Sequence, residues 1–236
     1  MDLFNLEGKI ALVTGALGLI GKEHCRALAQ AGATVIVADL NGEACAEFAS
    51  TLPNGALGLA FGITSEEEVV KAAEWVESHF EFLDILVNNA GFFLPGNIQD
   101  EGDYVLEQQM ASNLYSAYHT TRALLPAMLK LSKGHIFNIC SIASLLAYTQ
   151  GGSYSISKYA LDGFSKNLRE ELKDKGIKVT GVYPGATYTN SWAGSGVEPS
   201  RIMESSDIAK MILAAAKLSP QAVVEDIVMR PLLGDL

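Results

Sequence analysis

Along the chain, short β-rich apolar runs are separated by longer stretches with helical spacing. The runs Lys9–Thr14, Thr34–Ala38, Ala56–Phe61, Leu83–Asn88, His135–Cys140, Ile177–Tyr183 and Ala222–Met229 predict seven strands. All but the last are bounded on at least one side by Gly, Pro, Asn, Asp or Ser, and the uninterrupted apolar ones read as buried. Between them, Lys22 to Ala31 predicts a helix closed by Gly32, because glycine tolerates the left-handed turn that ends helices. Ser65 to Phe80 predicts a second helix, with capping-box spacing between Ser65 and Glu68 and a solvated acidic start at Glu66–Glu68. Asn113 opens a long apolar helix. Tyr154 to Lys173 carries an apolar stripe at Ile156, Ala160, Phe164, Leu168 and Leu172, and Gly176 closes it. A last helix is expected over Ser206–Leu218. The pattern is α/β.

Composition narrows the function classes. The 236 residues suffice for one domain with one core, and no linker, repeat or low-complexity segment divides them. At 49% hydrophobic and 19% charged, the chain is globular. Its net charge of −10, with no Lys/Arg run, argues against nucleic acid or an anionic membrane as partner. The start MDLFNLEGK lacks the basic and apolar regions of a signal peptide, and no apolar run of about 18 residues predicts a membrane span. Cys25, Cys45 and Cys140 are an odd, scattered set without metal-ligand spacing. A reduced, cytoplasmic compartment is expected.

Chemistry concentrates at the ends of the expected strands. The first strand runs into Thr14-Gly15-Ala-Leu-Gly18-Leu-Ile-Gly21 and then a helix. Strand, glycine turn and helix in that order let backbone approach a pyrophosphate and aim helix N–H groups at it. Asp39 ends the second strand, about 20 residues on, where a carboxylate binds ribose hydroxyls and repels a 2′-phosphate. No Arg or Lys stands inside the glycine motif or just after Asp39, so NAD is expected over NADP. Asn88-Asn89-Ala90-Gly91 breaks the fourth strand. Ser141 follows the fifth, at the carboxyl edge where open α/β sheets bind ligands. Tyr154 and Lys158 lie four apart, on one face of a helix. An ammonium held beside a phenol favours the phenolate, so Lys158 is expected to lower the Tyr154 pKa.

Taken together, Thr14-Gly15 to Gly21, Asn88-Asn89-Ala90-Gly91, Ser141 and Tyr154-x-x-x-Lys158 resemble the short-chain dehydrogenase/reductase family, in its short single-domain branch. The likeness runs from Lys9 to about Ala216. It implies a Rossmann-type, doubly wound, seven-stranded parallel sheet with helices on both faces, in one domain over residues 1–236. It implies hydride transfer between a nicotinamide and a carbonyl or alcohol, and a homotetramer or homodimer. Tyr154 matches the general acid/base, Lys158 its ribose-holding partner, Ser141 the donor to the substrate oxygen, and Asn113 the residue that anchors a relay water. The cofactor set is Gly15, Gly18, Leu19, Ile20, Gly21, Asp39, Leu40, Ile63, Asn89, Ala90, Gly91, Tyr154, Lys158, Pro184, Gly185, Thr187 and Thr189. Pro184-Gly185-Ala-Thr187-Tyr-Thr189 resembles the loop that closes over the nicotinamide, with Thr189 contacting its carboxamide. Thr187 replaces the family's usual aliphatic residue, and its side chain has no assigned role.

Two positions depart from the short-branch pattern. Leu19 stands where the middle glycine is usual, which makes the motif Thr-Gly-x-x-Gly-x-x-Gly, that of the extended branch with its nucleotide-sugar epimerases. Gly62 stands where an Asp often binds the adenine amino group, leaving backbone at Ile63 to meet the ring, for a loss of about 1 kcal/mol. Residues 190–203 are expected to form a substrate lid. Phe92, Phe93, Leu94, Leu145, Leu146, Tyr148, Tyr188 and Trp192 are candidate pocket residues. With no cation among them, a neutral, moderately apolar ketone or secondary alcohol fits best. An epimerase, a non-catalytic dinucleotide sensor and a reductase of carrier-bound 3-oxoacyl chains are the competing readings. The apolar tail Arg230–Leu236 is expected to pack on a neighbouring subunit.

Overall fold

The computed structural model describes residues 5–189, 192 and 196–236. Seven strands form one sheet: β1 Ile10–Thr14, β2 Thr34–Asp39, β3 Leu57–Ala60, β4 Ile85–Asn88, β5 Gly134–Ile139, β6 Ile177–Pro184 and β7 Asp226–Met229. Their order is β3-β2-β1-β4-β5-β6-β7, and all pairings are parallel. The chain winds outward from β1 to β3, then returns to place β4 on the other side of β1. That reversal opens a crevice at the carboxyl ends of β1 and β4, where such sheets bind ligands.

Alternate residues of one strand serve opposite faces. Ala11, Val13, Val35 and Val37 pack with Cys25 and Leu28 of α1 (Leu19–Gln30), Cys45 of α2 (Gly42–Ser50), and Ile208 and Ile212 of α7 (Ser205–Ala216). Their neighbours Leu12, Ile36 and Leu86 pack on the other face with Val76 of α3 (Glu66–His79), Leu124 of α5 (Ser116–Leu129), and Leu168 and Leu172 of α6 (Gly152–Leu172). Burying each Val, Leu or Ile among them is worth about 1.5–3 kcal/mol, which is why a strand covered on both faces is apolar throughout.

The elements differ from expectation in a few places. Helix α1 starts at Leu19 rather than Lys22, its first turn being the end of the glycine motif. Helix α2 had no clear signal: only Cys45 and Ala49 are buried, one turn of apolar pattern, although Asn41 caps it by accepting from the Ala44 N–H at 3.1 Å. β7 begins at Asp226, four residues later than expected. Asn113 does not open a helix. It sits in a π-helical turn, Ala111–Tyr115, between the short α4 (Val105–Met110) and α5. The expected lid falls partly on residues 190, 191 and 193–195, which lie outside the described residues. Of its remainder, Pro199–Arg201 forms a short 3-10 turn. Arg201 donates to the carbonyls of Leu233, Gly234 and Asp235, while the Leu232 and Leu233 side chains are exposed.

Candidate active site

The glycine turn is locked to the loop after β4. Gly15 has φ +60°, and a Cβ there would stand 2.8 Å from Ala90 Cα. A Cβ on Gly21 would collide with the Gly15 carbonyl oxygen. Asn89 donates from its side-chain amide to the carbonyls of Thr14 (2.9 Å) and Gly15 (3.0 Å). The Thr14 hydroxyl accepts from the N–H groups of Asn89 and Ala90, both at 3.1 Å. Asn89 and Ala90 therefore brace the turn. Asp39, at the end of β2, braces it from the other side: one carboxylate oxygen accepts from the Leu17 N–H at 2.9 Å, the other from the Leu40 N–H at 2.8 Å.

The same turn opens α1, whose N-cap is Gly18. No side chain caps that helix end and no acid stands in its first turn. A bare helix N-terminus in a cradle that a Cβ would fill suits an anionic phosphate. Leu19 is 36% exposed, so its side chain does not fill the turn. At Gly62, Glu68 contributes more than a solvated helix start. It reaches past the Ser65 N-cap so that Oε2 accepts from the Gly62 N–H at 2.6 Å. A carboxylate thus stands beside the position that lacks one. These features fit a nicotinamide dinucleotide at the crevice.

The residues that match the family's reacting set converge one strand further on. β5 delivers Cys140 and Ser141 to the carboxyl edge. The Ser141 hydroxyl accepts from the Ala143 N–H at 3.1 Å and so caps a short 3-10 turn, Ile142–Ser144. α6 brings Tyr154 and Lys158 to the same place. Lys158 is 5% exposed, and its ammonium donates to the Ile139 carbonyl at 2.8 Å. It lies 5.8 Å from the centroid of the Tyr154 ring. Burial holds the Lys158 pKa down to about 8.

The expected phenolate is not what this geometry favours. Burial pushes the Tyr154 phenol up to about 12, and the Ser141 hydroxyl opposes that rise. The ammonium is turned toward a backbone carbonyl, and burial outweighs any attraction at that range. Phe93 packs edge-on against the Tyr154 ring at 4.8 Å.

Asn113 is fully buried, and its side chain is used as a brace. Its Oδ1 accepts from the Phe92 N–H at 3.0 Å, and its Nδ2 reaches the Phe92 carbonyl (3.1 Å) and the Ser157 hydroxyl (2.9 Å). Ser157 in turn donates to the Tyr154 carbonyl at 2.7 Å. A Cβ on Gly91 would stand 2.5 Å from Asn113 Oδ1 and 3.6 Å from Lys158 Nζ, so that glycine lets loop, π turn and α6 close together.

The loop after β6 is also pinned. The Gly185 N–H donates to the Met229 carbonyl at 2.7 Å, and Thr187 bridges to Met203. The Thr187 hydroxyl donates to the Gly185 carbonyl at 2.9 Å, which gives that unassigned side chain a role inside the loop. Phe92, Phe93, Leu94, Leu146, Tyr148 and Tyr188 are exposed at 39–50%, as a pocket rim requires. Leu145 instead packs on the small core of Ala117, Cys140, Leu161 and Tyr183.

Among the described residues no group of His, Cys, Asp or Glu is arranged to hold a metal ion, and no helix is long and apolar enough to cross a membrane.

Residues 9–198 match the family model described as short chain dehydrogenase. An uncharacterized oxidoreductase of Staphylococcus aureus is 31% identical over 227 residues, covering 96% of this chain and 98% of its own. One from Staphylococcus epidermidis is 29% identical over 223 residues, covering 94% and 97%. Among solved structures, a 7α-hydroxysteroid dehydrogenase complexed with NADH and 7-oxo glycochenodeoxycholic acid is 31% identical. It superposes with a TM-score of 0.87 over 99% of this chain and 97% of its own. With the seven-stranded parallel sheet and the braced glycine turn already in place, these matches identify an oxidoreductase: the chain belongs to the short-chain dehydrogenase/reductase family.

Proposed function

We propose that this protein is an NAD(H)-linked dehydrogenase/reductase that interconverts a carbonyl and a secondary alcohol on a neutral, moderately apolar substrate. The observation that carries the reading is the convergence of Ser141, Tyr154 and Lys158 beside the braced glycine turn. The turn and the N-terminus of α1 hold the pyrophosphate, Asp39 the adenosine ribose, and Lys158 the nicotinamide ribose. Bound there, the dinucleotide supplies or accepts the hydride. The side chains do the rest.

A phenol with a pKa of about 12 is protonated at neutral pH. Tyr154 therefore rests as an acid, ready to give its proton to a carbonyl oxygen as negative charge develops there. Ser141 donates to the same oxygen. Lys158, which would hold the nicotinamide ribose, places its ammonium 5.8 Å from the Tyr154 ring centroid and so favours the phenolate once the proton has left. Alcohol oxidation runs these steps backward. Asp39 keeps two lone pairs free beyond its two backbone bonds, enough for ribose hydroxyls, and it repels a 2′-phosphate. The exposed aromatic rim supports a large apolar ketone as substrate class; the 7-oxo glycochenodeoxycholic acid complexed with NADH in the structural neighbour is likewise a ketone, though an acid rather than a neutral one. A homo-oligomer in the cytoplasm fits the family.

The test is the initial rate of NADH oxidation with a panel of cyclic and polycyclic ketones, and of NAD reduction with their alcohols, with NADPH and NADP in parallel. Turnover of apolar ketones with NADH supports the reading. Faster turnover with NADPH overturns the cofactor assignment, and no turnover with either overturns the activity.

A further inference from the structure

Helix α6 carries Tyr154 and Lys158 but does not finish its own N-terminus. Its N-cap is Gly151, which has no side chain to offer, and its first turn contains no acid. The cap comes from 52 residues upstream. The Ser153 N–H donates to Oε1 of Glu101 at 2.8 Å, and the Ser153 hydroxyl donates to Oε2. Ser153 is 2% exposed and immediately precedes Tyr154. A carboxylate at this position meets both a pair of charge-assisted hydrogen bonds and the positive end of a 21-residue helix.

The surrounding backbone is shaped to admit that carboxylate. Gly152 has φ +37°, and a Cβ there would collide with Glu101 Oε1 and sit 2.5 Å from the Gly96 carbonyl oxygen. A Cβ on Gly96 would stand 2.9 Å from Glu101 Cγ. The Gly96 N–H donates to the Gln150 carbonyl at 3.0 Å, and the Gln150 N–H donates to Asn97 Oδ1 at 3.1 Å. Loop 92–101 is thus sewn to the residues that precede α6, and it carries the Phe93 ring that packs on Tyr154. It meets Tyr154 twice, through the ring and through the backbone of the preceding residue.

We propose that Glu101 is a positioning residue: its carboxylate fixes the first turn of α6 from outside the helix and thereby sets the Tyr154 phenol in its working orientation. The proposal rests on the reading of Tyr154 as the proton donor. Glu101 touches neither substrate nor cofactor on this account, so its loss slows the proton-transfer step and spares cofactor binding.

The test compares wild type, Glu101→Ala and Glu101→Gln by amide hydrogen exchange at Ser153 and Tyr154, by kcat and KM on the best ketone, and by NADH affinity. In Glu101→Ala the two amides exchange at least about tenfold faster, because the turn opens locally. Its kcat falls at least about tenfold, the scale of loss expected for a misplaced acid. The NADH Kd changes by less than about twofold, because the glycine turn and Asp39 are untouched. Glu101→Gln rescues both exchange and kcat, because an amide can accept from the Ser153 N–H and donate to its hydroxyl. Unchanged exchange overturns the proposal. So does fast exchange with wild-type kcat, and so does a loss of kcat matched by an equal loss of NADH affinity. Exchange needs no substrate, so it judges the clamp separately: a wild-type protein inert toward every ketone defeats the reductase reading alone.

Discussion

At Lys158 an ammonium sits 5% exposed against the Ile139 carbonyl, with burial holding its pKa down to about 8. A depression of that size corresponds to a cost of about 3 kcal/mol in the folded state at neutral pH. Strain of this kind clusters at functional sites. Lys158→Met, similar in length and uncharged, is expected to keep or raise Tm while turnover falls at least about a hundredfold, read by calorimetry beside initial rates. A Tm lowered by many degrees would mean that the ammonium is structural. At Asp39 the two backbone bonds change what a simple deletion measures. Asp39→Ala also releases the Leu17 N–H and weakens both dinucleotides. Asp39→Ser with Leu40→Arg is the cleaner probe: the ratio of NADPH to NADH affinity is expected to rise at least about tenfold, since a guanidinium pairs a 2′-phosphate. An unchanged ratio removes Asp39 from the ribose site.

At the scale of elements, what was legible followed from periodicity and what was not followed from contact between distant segments. The five inner strands were visible because a strand covered on both faces has little freedom to be polar, whereas the edge strands β3 and β7 bury one residue each and were read from their β-rich composition. Helix α6 was visible from its C-terminal half, where Phe164, Leu168 and Leu172 pack on the core; Ile156, at the head of the expected stripe, is 43% exposed, and the first turns bury Ser153, Ser155, Ser157 and Lys158 instead. Gly176 ended its extension as expected, in the left-handed region at φ +75°. Helix α2 buries only two residues, too few to set a period. The π turn at Asn113 has no local signature: it forms where the amide of Asn113 must reach Phe92 and Ser157 at once, and one extra residue per turn rotates it there. Tyr154 and Lys158 were placed correctly by their spacing, yet their electrostatics were not, because spacing does not show that Ile139 offers the ammonium a carbonyl. For the same reason Glu68 was read only as a capping-box partner in a solvated helix start, and Glu101 was passed over. Each carboxylate acts on a backbone N–H six or 52 residues away, and only Gly62, Gly96 and Gly152 hinted that something passes close by.

For the molecule as a whole, acid is the condition that exposes the core's weak points. His24 in α1 is fully buried, with neither ring nitrogen hydrogen-bonded. His135 in β5 has only Nε2 partnered, 2.7 Å from the Thr180 hydroxyl. Burial lowers both pKa values to about 3. An unfolded chain binds protons at these sites below about pH 6.5 while the folded one refuses them. Stability therefore rises with pH between about 3 and 6.5 and is lost as pH falls through that window. His24→Leu is expected to raise stability at pH 7 and to flatten the acid limb in urea titrations from pH 7 to 4. An unaltered acid limb would show that His24 does not drive it.

The central claim is that Tyr154 passes the proton while the rest of the site holds the dinucleotide. Its most direct test is one pair of measurements on Tyr154→Phe: NADH affinity by fluorescence titration, and the single-turnover rate of NADH oxidation with the best ketone. The account predicts NADH binding within about twofold of wild type and a rate lowered at least about a hundredfold, since general acid catalysis is worth about 10²–10⁴. A variant that binds NADH and still turns over at the wild-type rate would contradict it.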